Sequence, residues 1–404
     1  MANTDADRTD LKGMTLPELE RFFARWGKER YRARQVSRWI YEKHVESFAA
    51  MTDLSKEFRA LLSESCTISS PPAERVEISA DGTEKYLFRL GDGETVESVL
   101  IPDEGRRTLC VSSQVGCPLG CVFCATGAMG FRRDMTSAEI VHQVCFAAKR
   151  LAERGERLSN VVFMGMGEPL LNVDEVSRAV EILLSQHGFC LSGKRVTVST
   201  AGIVPAMIAL AEKFPVSFAV SVNASDDAKR SSLMPVNREY PQKDLVAAMK
   251  RIPLRSGRKV TAEYVLLPGV NDSPEDAAAL ARLFRGGRIK VNLIPFNPHE
   301  GTSFRSPDEG RGGADRFRDV LLAAGIQAIT RERRGRDIHA ACGQLRGSDN
   351  IYGNSTRGSG CVAAGGRGSV RGSPCDEPAR LRFTSLRPPS CGDAAKLADG
   401  GKKS

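Results

Sequence analysis

The stretch Cys117-Pro-Leu-Gly-Cys121-Val-Phe-Cys124 places three thiols on one short segment, shortly after a predicted β-strand at 108–112. Thiols at this spacing on a tight loop can hold three corners of a cubane 4Fe-4S cluster, which leaves the fourth iron open to another ligand. The alternative is a structural zinc ion, which usually takes four ligands from two separate knuckles. The chain has five histidines, and none of them lies beside this loop. We therefore favour the cluster over zinc.

Strand and helix patterns alternate from about residue 107 onward. Helix starts are marked by the capping box Thr136-Ser-Ala-Glu139 and by Ser273-Pro274. Repeated β-α units predict a parallel sheet, either open and doubly wound or closed into a partial or full barrel. In both architectures the active site lies at the carboxyl ends of the strands. The predicted strands are 108–112, 160–164, 195–199, 216–221, 260–266, 290–294 and 327–330.

Two further segments flank this α/β core, which we place at 107–347. Residues 71–106 alternate apolar and polar side chains around the turns Asp81-Gly82 and Gly91-Asp-Gly93, and so predict a β-meander that leads into the core. Residues 348–404 are rich in Gly, Ser, Arg and Pro and lack apolar periodicity. That composition predicts a disordered C-terminal tail.

Residues 1–70 predict a small N-terminal helical domain, in which the capping box Thr15-Leu-Pro-Glu18 begins the first helix. Between 21 and 44, cations and large aromatic side chains are dense. Such a mixture suits an RNA-binding surface, since cations neutralise phosphates and rings stack on bases. It equally suits a helical core with a solvated basic face, and the segment alone does not separate the two interpretations. The cations are Arg21, Arg25, Lys28, Arg30, Arg32, Arg34, Arg38 and Lys43, and the aromatic residues are Phe22, Phe23, Trp26, Tyr31, Trp39 and Tyr41.

The composition is that of a globular protein with a modest positive charge. The 404 residues carry a net charge of +9, and 41% of them are apolar, enough for a sizeable core. No apolar run approaches the roughly 18 residues needed to cross a bilayer, and the polar amino terminus is unlike a secretory signal. The 11 cysteines favour thiolate chemistry or metal binding over a disulfide framework. We therefore expect a cytoplasmic protein without membrane contact.

The cysteine motif resembles that of radical S-adenosylmethionine enzymes. Within that superfamily, five further stretches resemble the bacterial dual-specificity rRNA and tRNA adenine-carbon-2 methyltransferases, and the resemblance runs from about residue 10 to 346. It implies a partial (βα) barrel and methylation of carbon 2 of an adenosine in 23S rRNA and of an adenosine in tRNA. The stretches are Leu109-Cys-Val-Ser-Ser-Gln-Val-Gly-Cys117, Met164-Gly-Met-Gly-Glu-Pro-Leu-Leu-Asn172, Arg195-Val-Thr-Val-Ser-Thr200, Asn292-Leu-Ile-Pro-Phe-Asn-Pro298 and Ala340-Ala-Cys-Gly-Gln-Leu345.

The resemblance implies one 4Fe-4S cluster on Cys117, Cys121 and Cys124, with S-adenosylmethionine beside it and two molecules of it used per turnover. Glycines in the stretch at 164–168 let a ligand approach the backbone, where a carboxylate can accept from an ammonium group. The family often carries Ser-Leu-His where this chain has Ser221-Val-Asn223. The positions that match S-adenosylmethionine ligands are Gly167, Glu168, Ser199, Ser221, Val222, Asn223 and Asn297.

Two thiols outside the cluster loop also match the family. Cys342 matches the cysteine that carries the methyl group as S-methylcysteine and then forms a covalent adduct with RNA. Cys110 matches the resolving thiol, which leaves a disulfide with Cys342. Glu97 matches a proton acceptor, and whether Glu97 or Cys110 takes the decisive proton stays open. Without the resemblance, the ordinary interpretations are a core residue for Cys110, a loop residue for Cys342 and a solvated edge-strand residue for Glu97.

The resemblance also implies partners. These are 23S rRNA and tRNA, together with an external electron donor such as flavodoxin, and we expect a monomer. Two alternatives remain, namely methylation at adenine carbon 8 and a non-catalytic iron–sulfur RNA-binding protein. A run of arginines before Cys342 either guides phosphates toward the site or is simply solvated. This run comprises Arg331, Arg333, Arg334 and Arg336.

Overall fold

The computed structural model describes residues 8–307 and 313–347, so the predicted disordered tail at 348–404 lies outside the described residues. In this part of the chain no helix is long and apolar enough to cross a bilayer. The strands are β1 (Thr9–Asp10), β2 (Cys66–Thr67), β3 (Ala73–Ile78), β4 (Glu84–Arg89), β5 (Thr95–Asp103), β6 (Arg106–Cys110), β7 (Gln114–Gly116), β8 (Phe131–Asp134), β9 (Asn160–Phe163), β10 (Val196–Thr200), β11 (Ser217–Ser221), β12 (Val260–Leu266), β13 (Ile289–Pro295) and β14 (Ala328–Thr330). The helices are α1 (Leu16–Ala24), α2 (Arg30–Tyr41), α3 (Lys56–Ser65), α4 (Ala125–Ala128), α5 (Ser137–Glu153), α6 (Val173–Leu184), α7 (Val204–Lys213), α8 (Asp227–Leu233), α9 (Gln242–Arg251), α10 (Pro274–Phe284) and α11 (Gly313–Ala323).

One ten-stranded sheet organises the fold, in the order β14-β13-β12-β11-β10-β9-β6-β5-β4-β3. The strands from β6 through β9 to β14 pair in parallel, and helices lie between most of them along the chain. The order is open, with β14 at one edge and β3 at the other. These features confirm the predicted α/β fold with a partial barrel. They place the carboxyl ends of the parallel strands at one edge, where ligands bind in such sheets.

The predicted β-meander forms β3, β4 and β5, and it continues directly into the parallel sheet. Strand β5 pairs with β6 in antiparallel register, with Val99 opposite Cys110. Strand β6 in turn pairs in parallel with β9, with Cys110 opposite Val162. The seam between the antiparallel and parallel parts of the sheet therefore runs along β6, and Cys110 stands at its carboxyl end.

Most aromatic side chains of the N-terminal helices lie in the hydrophobic core or pack against it. The predicted capping box begins α1, where the backbone N–H of Thr15 donates to Glu18 Oε2 at 2.8 Å. Phe23 and Tyr41 are buried, and the ring of Phe23 meets that of Phe58 edge-on at 5.4 Å. Tyr31 is different because its side chain is 46% exposed on α2. The structure therefore divides the segment, with most rings in a helical core and Tyr31 on the basic surface.

A buried guanidinium ties together the carboxyl ends of β10 and β11. Arg230, on α8, is fully buried. Its Nη2 donates to the carbonyls of Ala201 at 2.7 Å and Ser221 at 3.1 Å, and its Nε donates to the carbonyl of Val222 at 3.1 Å. Its Nη1 donates to Asn237 Oδ1 at 2.7 Å. Buried carbonyls need donors, and this one side chain supplies them for both strand ends.

Replacing Arg230 with Leu should therefore destabilise the fold by roughly 3 kcal/mol or more, because several buried carbonyls would lose their donors together. Chemical denaturation of purified protein measures the change. The matched control is Arg238→Leu on the exposed turn that follows α8. That surface change should stay within about 0.5 kcal/mol of the parent. Equal stabilities for the two variants would show that Arg230 does not brace the strand ends.

Candidate active site

A cleft with about 940 Å³ of empty space opens at the carboxyl ends of the parallel strands. Nearly all of the residues predicted to bind the cluster and S-adenosylmethionine line it. Val222 is the exception, because its side chain is fully buried and its backbone N–H donates to the carbonyl of Glu263 at 3.0 Å. The predicted residues that line the cleft are Cys117, Cys121, Cys124, Gly167, Glu168, Ser199, Ser221, Asn223, Asn297 and Cys342.

The cysteine loop is held by a small hairpin that sequence analysis did not predict. Strands β7 and β8 pair on either side of the loop. The backbone N–H of Cys117 donates to the carbonyl of Gly130 at 2.9 Å. Gly116 has φ +74°, and a Cβ there would come within 1.9 Å of the same carbonyl oxygen. Glycine is therefore required at 116 for the loop to close against the hairpin.

The chemistry and spacing of the three thiols fit a 4Fe-4S cluster. Burial raises the pKa of Cys117 to about 12 and raises the pKa values of Cys121 and Cys124 as well, so free thiolates are costly in this loop. Bound iron supplies the positive charge that thiolates need. Within the described residues, no three His, Cys, Asp or Glu side chains converge as the ligands of a single metal ion do. A cubane instead takes each thiolate at a different iron, which suits three thiols spread along one cleft wall.

Glu168 lines the same cleft as the cysteine loop and joins two strand ends. Its Oε2 accepts from the backbone N–H of Ala201 at 2.7 Å, and its Oε1 accepts from that of Leu170 at 3.1 Å. Burial raises the pKa of Glu168 to about 7, although these hydrogen bonds oppose the shift. Gly167 has φ +96°, and a Cβ there would lie 2.5 Å from that of Gln114. The predicted glycine–glutamate element is thus a tightly packed turn with a buried carboxyl group.

Asn223, where this chain departs from the family that its sequence resembles, has a structural function in the cleft wall. Its backbone is left-handed, with φ 55°, a conformation that Asn tolerates better than most residues. Its Oδ1 accepts from the backbone N–H of Val265 at 2.8 Å, and its carbonyl accepts from Asn271 Nδ2 at 2.8 Å. The side chain therefore clamps the end of β11 to β12.

The structure brings Cys110 and Cys342 to one cavity, a neighbour of the cleft with about 530 Å³ of empty space. Cys342 and Arg331 line both spaces. Burial raises the pKa of Cys110 to about 12, the nearby Cys342 adds to the shift, and the Arg331 guanidinium opposes it. The interpretation of Cys342 as an ordinary loop residue leaves this meeting of two thiols unexplained, since they lie far apart in the sequence.

Glu97 does not line either space. It is buried in the interior strand β5, so the expectation of a solvated edge-strand residue is wrong. Its Oε1 lies 3.4 Å from Lys85 Nζ, and its Oε2 accepts from the backbone N–H of Arg346 at 2.8 Å. Burial raises the pKa of Glu97, and the Lys85 cation opposes this. The match of Glu97 to a proton acceptor stays a prediction, and the observed contacts are structural.

Two charged residues of the cleft, Arg331 and Glu263, have positions in the site that sequence analysis did not predict. Arg331, predicted to guide phosphates or to be solvated, is half-buried between the two spaces. Its pKa is raised by the Cys342 thiol first and then by Glu263. Glu263 itself was missed, although a lone acidic residue within the apolar run of β12 was the available signal.

Comparisons with known proteins agree with this architecture. The family model of the ribosomal RNA large subunit methyltransferase N-terminal domain matches residues 9–68, and that of the radical SAM superfamily matches residues 111–281. The chain is 54% identical to the dual-specificity RNA methyltransferase RlmN of Geobacter sulfurreducens, over 84% of this chain and 92% of that protein. It is 52% identical to the RlmN of Geotalea uraniireducens, over 84% of this chain and 97% of that one.

Among solved structures, a radical SAM methyltransferase from Sphaerobacter thermophilus superposes with a TM-score of 0.80 at 47% identity, over 84% of this chain and 99% of that one. The two family models together cover the helical N-terminal segment and the cysteine loop, and the relatives match over nearly their whole length. The chain therefore belongs to the dual-specificity RNA methyltransferase RlmN family of the radical S-adenosylmethionine superfamily.

Proposed function

We propose that this protein methylates carbon 2 of an adenosine in 23S rRNA and of an adenosine in tRNA. The observation that carries the proposal is the meeting of Cys110 and Cys342 in a cavity that adjoins the cysteine-loop cleft. Carbon 2 of adenine is electron-poor and does not attack a sulfonium methyl group as a nucleophile, so radical chemistry and a protein-bound methyl carrier suit it. A non-catalytic iron–sulfur protein would have no use for this pair of thiols.

In this proposal, Cys117, Cys121 and Cys124 hold a 4Fe-4S cluster. The S-adenosylmethionine ligands are Gly167, Glu168, Ser199, Ser221, Val222, Asn223 and Asn297. The structure supports most of these as side chains that line the cleft, and Val222 and Asn223 as residues that shape its wall. Bound there, the cluster and S-adenosylmethionine supply a carbon radical that removes hydrogen from an S-methyl group. An external reductant such as flavodoxin provides the electron.

The two thiols divide the remaining work. Cys342 carries the methyl group as S-methylcysteine, and its methylene carbon bonds to carbon 2 of adenine. One S-adenosylmethionine supplies that methyl group and a second supplies the radical, so two are used per turnover. The radical adduct would lose the ring proton at carbon 2 and one electron, which the bound cluster would take back, and the Cys110 sulfur would then attack the Cys342 sulfur of the closed-shell adduct. The bond between sulfur and methylene breaks, its electron pair stays with the methylene carbon, which is then protonated, and a disulfide remains.

Arg331 is placed to assist the thiols because its guanidinium lines both the cleft and the Cys110–Cys342 cavity. A cation beside Cys110 favours the thiolate over the thiol, which offsets part of the burial that raises the pKa of Cys110. Asn297 Nδ2 donates to the carbonyl of Cys342 at 3.4 Å, and the carbonyl of Gly343 accepts from the backbone N–H of Ala125 at 2.8 Å. These contacts hold the segment around Cys342 beside the cysteine loop.

The helical segment 1–70 is proposed to bind the RNA, while the α/β core, 107–347, catalyses the reaction. The meander at 71–106 leads into that core, and the tail at 348–404 has no proposed function. Arg30 and Tyr31 are exposed on α2, and the Arg32 guanidinium lies 4.6 Å from the centre of the Tyr31 ring. Exposed rings with stacked cations are typical of RNA-binding surfaces. We propose a monomer that acts in the cytoplasm.

Replacing Cys121 with Ala should remove the cluster, because two thiols are too few to hold it. Anaerobically reconstituted wild-type protein should contain about four irons and four sulfides, and the variant should contain almost none. Iron and sulfide assays measure this, with Cys190→Ala as the matched control because Cys190 is exposed and away from the cleft. One zinc and no sulfide in the wild-type protein would refute the cluster.

The thiol variants should fail at different steps. Cys342→Ala should give neither protein methylation nor RNA methylation, because the methyl carrier is gone. Cys110→Ala should load the methyl group and accumulate RNA bound through Cys342, which mass spectrometry detects as a nuclease-sensitive shift. Cys145→Ala changes another buried cysteine, outside both spaces, and should turn over normally. Normal turnover by Cys110→Ala would make Cys110 a core residue only.

Reversing Arg30, Arg32 and Arg34 to Glu should weaken RNA binding. The slope of log affinity against log salt should flatten by roughly 0.9 for each phosphate that the variant no longer neutralises. Arg251, Arg255 and Lys259 are exposed and precede β12, at the end of the sheet away from the cleft. Their reversal to Glu is the matched control and should change both quantities less. Binding titrations at several salt concentrations measure the RNA affinity and its salt slope. Identical slopes for the two triple variants would place the RNA-binding surface elsewhere.

A further inference from the structure

The cleft contains a buried carboxyl group that the proposed chemistry does not use. Glu263 lies on β12, is 4% exposed and lines the cleft. Its Oε1 accepts from Asn292 Nδ2 at 3.1 Å, which holds the carboxyl group in one orientation. Its Oε2 is buried and finds no hydrogen-bond partner among the residues that the structure describes. A residue that lines the cleft thus holds one unpaired acceptor atom.

An unpaired buried carboxylate oxygen is costly, and where its residue lines a cleft a donor on a bound ligand can offset that cost. Within the pair, Asn292 Nδ2 already donates to the other oxygen of Glu263, so it is not available to Oε2. The same Asn292 has a side-chain oxygen that is buried and unpaired within the described part of the chain. While Glu263 is ionised, both free atoms are acceptors, and a ligand that pairs with them brings N–H or O–H donors.

The surroundings indicate a flat, neutral donor. Val265, Ile294 and Phe296 line the cleft with Glu263, and such apolar walls suit a heteroaromatic ring. Arg331 lines the same cleft, and its cation opposes the burial that raises the pKa of Glu263. A second cation, such as an ammonium group, would be repelled by this guanidinium. A neutral amino group on a ring satisfies the carboxylate without that repulsion.

We infer that Glu263 accepts a hydrogen bond from the exocyclic amino group of an adenine ring bound in the cleft, with Asn292 as the residue that positions the carboxylate. Glu263 is then a specificity-determining residue. This inference rests on the proposed function, in which two adenine rings enter the site. One belongs to S-adenosylmethionine and the other to the target nucleoside, and they share the amino group that the carboxylate recognises.

Two binding measurements on the full, anaerobically reconstituted chain test the inference and separate the two rings. In the first, equilibrium dialysis compares S-adenosylmethionine with its analogue that carries hydrogen in place of the adenine amino group. In the second, RNA titrations compare a hairpin containing the target adenosine with the same hairpin containing purine riboside there. A hydrogen bond to a buried charged acceptor predicts that wild-type protein prefers the amino-bearing ligand by roughly tenfold or more in at least one measurement.

The variants Glu263→Gln and Glu263→Leu should abolish that preference. Gln keeps the shape and can keep its oxygen toward Asn292, so it presents an amide donor where the ligand needs an acceptor. Leu removes the polar group altogether, and either variant suffices if the other does not fold. The matched control is Thr261→Val, on the same face of β12 but outside the cleft lining, and it should keep the wild-type preference.

If wild-type protein prefers the amino-bearing ligand in the first measurement and both variants lose that preference, Glu263 binds the adenine of S-adenosylmethionine. If the same pattern occurs in the second measurement, Glu263 binds the target adenosine. Absence of any preference in wild-type protein would overturn the inference, as would a preference that survives in both variants. Methylation of the adenosine hairpin by wild-type protein is assayed alongside. Methylation without amino-group discrimination refutes only the function of Glu263, whereas absence of methylation refutes the proposed reaction and leaves the binding ratios interpretable.

Discussion

The buried guanidinium of Arg230 is the contact on which the cleft depends. Parallel strands end in carbonyl groups that no neighbouring strand can pair, and these must find donors if the strand ends are buried. Arg230 donates to the carbonyls of Ala201, Ser221 and Val222 at once. The loops after β10 and β11 are thereby held in a single arrangement. This arrangement also fixes the positions of the side chains on these loops. It fixes the Glu168 carboxyl group as well, because that group accepts from the backbone N–H of Ala201.

The segment around Cys342 is held in place from two directions. The β-meander contacts one part of it through two hydrogen bonds. The backbone N–H of Gly335 donates to Asp81 Oδ2, and the Ser79 hydroxyl donates to Asp337 Oδ1. The short helix after the cysteine loop contacts another part, because Thr126 Oγ1 donates to the carbonyl of Leu345 at 2.6 Å. A reaction that forms and then breaks a bond at one cysteine needs that cysteine positioned against both a radical source and a second thiol. The meander therefore contributes to the site although it supplies none of the thiols.

Charge in the cleft follows one electrostatic rule. Burial raises the pKa values of Cys110, the three cysteine-loop thiols, Glu168 and Glu263, and favours their neutral forms until a cation or donor is near. Arg331 is such a cation for Cys110 and Glu263. Iron would be the corresponding partner for the cysteine loop. Glu97 shows the same rule outside the cleft, where Lys85 and a backbone N–H hold its carboxylate.

Features that depend on neighbours in the sequence were determined by the sequence itself. The capping box at Thr15, the alternation of strands and helices and the spacing of the cysteine loop act over a few residues, so the partial barrel and its thiol loop were predictable. Pairings across the chain were not. The burial of Glu97, the acceptor at Glu263 and the brace at Arg230 arise because distant segments pack together and remove water from polar groups. Resemblance to the family had matched Cys110 with Cys342, but only the tertiary structure places both in one cavity, since β6 and the segment after β14 converge there.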